Sequence, residues 1–283
     1  MMKNVVLMTL AVFFSVFAFA QDAADKINEA NEAMQAEDYA KAFSLYDDAM
    51  KNLGDVQIEP TINYNIGFAA YKSDNFEGAH EYFDNAIEAG VNISKSWEYK
   101  ALSYNKQDKY AEAVESYEKA IAASEGESES MVFNAAIAAY RGDMLDKAIE
   151  LFGQSVDNNY RGETAIYYKA IALRKKGDDV AYKATLEKGA EMYPTDDKIT
   201  SALANVYVSE GNEFYKKGVA VLSAANEKVN AGSLKTTDDA YLTEVEKAQE
   251  EFRAALEILE KAKELDPSNQ NAQKLIEACS AVL

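Results

Sequence analysis

Apolar and polar positions alternate along most of this chain with the period of an α-helix. Between about residues 23 and 195, apolar residues recur every three or four positions in short stretches that polar segments separate. Such spacing places the apolar side chains on one face of a helix. From Ser94 to Ser124, two of these stretches part near Gln107 and Asp108, which favour a turn. The pattern therefore predicts pairs of helices joined by tight turns.

The helix pairs repeat with a nearly constant period. Small residues are separated by 37, 34, 35 and 34 positions at Ala30, Gly67, Ala101, Ala136 and Ala170. Bulky apolar residues follow the same period at Tyr46, Phe83, Tyr117, Phe152 and Leu186. A period in this range indicates stacked repeats, and small residues let paired helices approach closely.

These positions resemble the tetratricopeptide repeat, a family with a 34-residue unit of two helices. The third unit matches it best, at Trp97, Ala101, Tyr104, Tyr110, Ala113, Tyr117 and Ala120. Closing prolines at Pro194 and Pro267 also fit, and the resemblance covers roughly residues 23–267. It implies an all-α fold, a right-handed superhelical solenoid of helix-turn-helix repeats with C-terminal capping helices.

The sequence predicts three regions. Residues 1–20 are predicted to be a cleaved signal peptide, residues 23–195 five repeats, and residues 196–283 degenerate, extended repeat-like helices with a cap. In the last region we expect helices at about 197–210, 212–229, 239–265 and 269–281. The single cysteine, Cys279, falls in the final apolar helix, where burial is expected; an exposed thiol would instead permit an intermolecular disulfide.

The first twenty residues carry the pattern of an export signal. One lysine precedes an apolar run from Val5 to Ala20, which ends in the small-x-small sequence Ala18-Phe19-Ala20. A retained membrane anchor is the alternative, but the run is slightly short for a span. We therefore expect an exported, periplasmic protein, or a secreted one, with no stable membrane insertion after cleavage.

Charge and residue types restrict the chemistry. A net charge of −19 at pH 7 repels nucleic acid and anionic lipid, so neither is expected as a partner. The only histidine, His80, is predicted on an outward helix face, and no Cys–His pair, nucleophile elbow or phosphate-binding glycine loop occurs. We expect no enzyme, no cofactor and no metal. A hydrolase with paired carboxylates is the remaining catalytic alternative, because 48 residues are acidic.

The resemblance implies that the first helix of each unit lines a concave groove. On that alignment the candidate partner-binding residues are Tyr64, Asn65, Phe68, Tyr71, Tyr99, Phe133, Asn134, Tyr140, Tyr167 and Tyr168. Tyrosine combines large contact area with a polar hydroxyl, which suits recognition. Alternatively, several of these rings pack between units.

A basic residue ends the first helix of four successive units, at Lys72, Lys106, Arg141 and Lys175. These cations would offset the helix dipoles, or would face an acidic peptide. The expected function is a non-catalytic scaffold or adaptor that binds a peptide or protein segment in the groove. The alternative is a component of an envelope assembly or secretion machine that binds through its outer face.

Overall fold

The computed structural model describes residues 21–54, 57–126 and 128–283. These residues form thirteen α-helices and no strand. Helix α1 is described over residues 21–35. The others are α2 (Tyr39–Lys51), α3 (Ile62–Lys72), α4 (Phe76–Glu88), α5 (Ile93–Lys106), α6 (Tyr110–Ala122), α7 (Glu129–Arg141), α8 (Leu145–Asp157), α9 (Gly162–Lys176), α10 (Asp179–Met192), α11 (Asp197–Asn230), α12 (Asp239–Leu265) and α13 (Gln270–Ser280). The predicted all-α, helix-turn-helix fold is confirmed.

The chain divides into two compact units, one ending at Ser155 and the other beginning at Val156. In the first unit the recurring small and bulky residues form the core between paired helices. Ala79 on α4 and Ala113 on α6 are fully buried, as are the rings of Phe83 and Tyr117. Position 67 requires glycine, because a Cβ there would lie only 2.8 Å from Phe83 Cδ1. The repeating positions are therefore where helices touch.

The hairpin turns also follow the repeat. Each contains one residue in the left-handed backbone region, at Glu37, Asp74, Asp108, Asp143 and Gly177, with φ between 57° and 88°. Aspartate tolerates this conformation because its short side chain can hydrogen-bond the local backbone, and glycine has no Cβ to clash. The turn expected at Asp108 is one of five equivalent turns.

The second unit contains a long antiparallel helix pair. We expected a break between residues 210 and 212, and this prediction is wrong: α11 continues for 34 residues through Gly211. A Cβ on Gly211 would lie 2.6 Å from Leu259 Cγ on α12. The glycine therefore permits close helix packing, and it does not terminate the helix.

Small residues of α11 recur at heptad spacing along this pair. Ala204, Gly211, Gly218 and Ala225 are seven residues apart and all are buried. The buried residues of α12 that form the other side are Ala248, Phe252, Ala255, Leu259 and Ala262. A strict seven-residue repeat is the pattern of a coiled-coil seam. Helix α13 packs on the same pair, and its Cys279 is fully buried in a cluster with Phe252 and Leu259, as expected.

Replacing Gly218 by alanine is expected to destabilise the protein. The added Cβ would lie 2.8 Å from Phe252 Cε1 and 3.0 Å from the carbonyl oxygen of Ala248. Because one of these contacts is with rigid backbone, we expect a cost near the upper end of the range of about 1–3 kcal/mol for overpacking, more than the gain of about 1 kcal/mol in helix propensity. Urea unfolding followed by circular dichroism measures the change. Val219→Ala, at a neighbouring side chain that is 42% exposed, is the control and should change stability little. A Gly218→Ala protein as stable as the parent would contradict the seam.

Candidate functional site

Five aromatic rings in the first unit form one cluster, here called the aromatic cluster: Tyr64, Phe68 and Tyr71 of α3, Phe83 of α4 and Tyr99 of α5. Tyr99 is its centre, with ring centroids 6.2 Å from Tyr64, 5.1 Å from Phe68 and 5.3 Å from Tyr71. Its ring also stacks on that of Phe83, with the centroids 5.8 Å apart and an angle of 10° between the ring planes. Positions 64, 68 and 71 share one face of α3 because they are four and three residues apart. Phe83 is fully buried, and the other four rings are partly exposed.

The hydroxyl groups of the aromatic cluster are held in the neutral form. Burial, together with the neighbouring Tyr99, raises the pKa of Tyr64 to about 12. Burial likewise raises the pKa of Tyr71 and the pKa of Tyr99. The phenols are neutral at physiological pH, as ordinary tyrosines are, and each carries a hydrogen-bonding hydroxyl on an apolar ring. The cluster can offer apolar contact and hydrogen bonds to the same partner.

Lysine side chains lie over rings at the edge of the aromatic cluster. Lys72 Nζ is 5.2 Å from the centroid of Tyr39 on α2 and 5.8 Å from that of Phe68. Within the described part of the chain, Lys72 forms no ion pair with a carboxylate. These distances are in the range of cation–π attraction. The charge of Lys72 is thus available at the rim of the cluster.

The same arrangement recurs one repeat later. Lys106 Nζ is 6.0 Å from the ring of Phe76 and 4.7 Å from that of Tyr71, and it is 2.6 Å from Asp74 Oδ1. In each case a lysine at the end of a first helix reaches the aromatic residue that begins the preceding second helix. This contact adds a third role to the two we considered for the basic positions, because it joins successive hairpins.

The remaining predicted residues differ in exposure. Asn65 is exposed, and Asn134 and Tyr140 are partly exposed. Phe133 must be corrected: its side chain is 4% exposed and meets Phe152 edge to face at 6.0 Å, so it belongs to the core of the first unit and presents no surface. Tyr167 and Tyr168 belong to the second unit, are partly exposed, and contact each other with centroids 5.9 Å apart.

Two rings beside these lysines were missed by the sequence analysis. Tyr39 and Phe76 begin α2 and α4, at equivalent positions of successive repeats, and Tyr110 begins α6 in the same way. The period that identified the core residues contains this third aromatic set. The sequence signal for these contacts is the shared period of the aromatic residues that begin the second helices and the basic residues that end the first helices.

The structure places His80 differently from the expected outward face. Its ring is partly buried against Tyr104, with centroids 4.1 Å apart, and its Nε2 is 2.8 Å from Ser103 Oγ. Gln107 Nε2 donates to the same oxygen at 3.4 Å. Ser103 is fully buried, so no substrate reaches its hydroxyl. The pair is a hydrogen bond between α4 and α5.

His80 is expected to titrate well below its usual range. Burial and the positive charge of Lys100 lower its pKa from 6.5 to about 4. The unfolded chain therefore takes up this proton first, and the stability that neutral His80 contributes is lost as the pH falls from about 6.5 to about 4. An NMR titration of the single imidazole should give a midpoint near 4. A His80→Gln variant, the control, should lose less stability over this interval. A midpoint near 6.5 would contradict the buried geometry.

No three His, Cys, Asp or Glu side chains in residues 21–54, 57–126 and 128–283 approach closely enough to hold a metal ion. None of the helices described there combines the length and the apolar character that crossing a membrane requires.

Part of this chain is similar to a known family of repeat proteins. The family model of the tetratricopeptide repeat matches residues 64–128, the segment that contains most of α3, all of α4 to α6 and the aromatic cluster. Stress-induced-phosphoprotein 1 of Caenorhabditis elegans is 28% identical over 155 residues, which are 54% of this chain and 45% of that protein. The NADPH oxidase activator of Dictyostelium discoideum is 26% identical over 124 residues, 44% of this chain and 17% of that protein. Each match therefore spans less than half of the curated relative.

A solved structure shares the fold over most of the chain. It is the C-terminal part of a repeat-containing protein from Cytophaga hutchinsonii, which aligns with a TM-score of 0.51 and 16% identity. The alignment covers 88% of this chain and 99% of the other. Together with the family match, it shows the repeat architecture.

Proposed function

We propose that this chain, whose residues 64–128 match the tetratricopeptide repeat family, is a non-catalytic scaffold that holds a peptide or protein segment against the aromatic cluster of its first unit. The observation that carries the proposal is the packing of Tyr64, Phe68 and Tyr71 around Tyr99, with each of these rings still partly exposed. Stacked repeats offer extended surfaces for such binding.

The cluster suits recognition because its rings are already ordered. A side chain that packing holds in place loses little further conformational entropy when a partner binds, so more of the contact energy remains as affinity. Tyr99 supplies this order, since it contacts all three rings of α3. Partly exposed aromatic rings in a fixed arrangement are typical of the few residues that dominate binding energy.

Polar groups surround the cluster at positions that could orient a bound segment. The exposed Asn65 offers an amide to a peptide backbone, and Lys72 offers a cation that no carboxylate of the described chain neutralises. The partner we propose therefore combines apolar side chains, for the rings, with carbonyl or carboxylate oxygens for Asn65 and Lys72.

We also propose that the protein is exported and acts in the periplasm. Support comes from the sequence of residues 1–20, which lie outside the described residues. Intact-mass analysis of the protein from its native host should give a chain that begins at Gln21. A mature mass that includes Met1 to Ala20 would contradict cleavage at this position.

A double substitution that keeps every aromatic ring of the cluster tests the binding proposal. Asn65→Ala with Lys72→Ala removes the polar groups at the cluster, and we expect at least about a tenfold loss of partner, equivalent to about 1.4 kcal/mol. The measurement is quantitative affinity capture from native envelope extract, after circular dichroism shows equal helix content. The control is Asn85→Ala with Lys109→Ala, which changes an exposed asparagine of α4 and an exposed lysine before α6.

The capture separates the candidate functions. A partner that the parent and the control retain and that the double variant loses supports binding at the cluster. Equal capture by all three proteins contradicts it and favours the outer face, as an assembly-machine component would use. Turnover of an envelope polymer by the purified parent would favour the carboxylate hydrolase instead.

A further inference from the structure

An open trough runs between α10 and α11 in the second unit. Its cavity volume is about 580 Å³. Its lining includes the small apolar side chains of Ala184 from α10 and of Ala202 and Val206 from α11. Because these side chains are short, the surface between the helices is recessed there, and polar residues of both helices also line the trough.

A protruding apolar side chain stands beside this recess. Val180 lines the trough and is 83% exposed, more than any other large hydrophobic side chain of the described residues. It lies one helical turn before Ala184, so the two positions share a face of α10. The same face therefore carries an apolar projection and an apolar recess of matching chemistry.

The positive and negative side chains that line the trough are not fully paired with one another. The Arg174 guanidinium lies 5.4 Å from the ring of Tyr182 and has no carboxylate partner within the described chain. Along the trough, Lys183 Nζ is 2.8 Å from Glu210 and 3.9 Å from Glu187. One ammonium thus serves two carboxylates, although Tyr207 also donates to Glu187 at 3.1 Å.

One more acidic group lines the trough. Asp179 is exposed in the first turn of α10, where a carboxylate favours the helix N-terminus. The helix terminus offsets part of its charge. Arg174 therefore has no carboxylate partner within the described chain. The two negative charges of Glu187 and Glu210 exceed the single positive charge of Lys183.

We propose that the trough binds the same face of a second copy of this chain in a two-fold arrangement. When α10 of one copy runs antiparallel to α10 of the other, position 180 of each lies opposite position 184 of its partner. Val180 then enters the recess at Ala184, and Arg174 approaches the carboxylates of Glu187 and Glu210. An interface of this kind is isologous, since one patch is used twice. The inference concerns the second unit and is independent of the function proposed for the first.

The size of the face sets the strength of this association. Helix α10 has 14 residues, a length of about 21 Å, and two neighbouring helices give a face on the order of 400 Å². Stable interfaces bury about 800 Å² per partner, so the dimer is weak. The net charge of −19 opposes it as well. We expect a dissociation constant on the order of 100 µM at physiological salt.

Sedimentation velocity over a concentration series tests the association. The parent should shift from monomer to dimer between about 10 µM and 500 µM in 150 mM NaCl, around the dissociation constant expected for so small a face. Val180→Glu should remain monomeric throughout, and Ala184→Trp, which fills the recess, should weaken the dimer at least about tenfold. Leu242→Glu is the matched control, because Leu242 is also an exposed apolar residue, 52% accessible, near the start of a helix.

Cysteine cross-linking tests the two-fold geometry. Val180→Cys and Ala184→Cys proteins, oxidised after mixing, should give several-fold more disulfide dimer than either protein alone. The native Cys279 is fully buried and should not interfere. A parent that is monomeric at 500 µM, or a dimer that Val180→Glu leaves unchanged, would overturn the proposal. Equal cross-linking without mixing would overturn the antiparallel arrangement.

Discussion

Close approach of helix backbones is the constraint on which the rest of this structure depends. In the first unit it occurs at recurring small residues, such as Gly67, where a Cβ would collide with the ring of Phe83. In the second unit Gly211 meets Leu259 in the same way. Each contact lets a large apolar side chain of one helix rest directly on the backbone of another, so burial and helix spacing are fixed together.

The surface we assign to binding follows from this packing. Phe83 is held against Gly67, Tyr99 stacks on Phe83, and the rings of α3 gather around Tyr99. The buried contact between Gly67 and Phe83 therefore fixes the positions of the exposed rings. Lys72 and Lys106 add a second link, because each reaches an aromatic residue of the preceding hairpin. The first unit thus couples its recognition surface to the contacts that stack its repeats.

The repeat period predicted the helix pairs and the buried set correctly, because the same side-chain sizes recur wherever helices cross. Periodicity carries less information about neighbours. It could not show that Phe133 meets Phe152, or that His80 turns toward Ser103, since both depend on contacts between helices. Gly211 misled for a related reason: a glycine that ends a helix and one that admits a neighbouring side chain look alike in sequence. Among the candidate site residues, the sequence identified the rings of α3 and Tyr99, but not that Tyr99 organises the others.

The heptad seam of α11 and α12 has a consequence for how this region can change over evolution. Its small residues fall at positions 204, 211, 218 and 225, so a seven-residue segment is the unit in which the seam repeats. Insertion or deletion of seven residues in each helix, placed opposite one another, would preserve every facing pair. Insertion of one or two residues would instead rotate large side chains into positions that only glycine or alanine can occupy. The hairpin can therefore lengthen or shorten in discrete steps while the helices that anchor it keep their contacts.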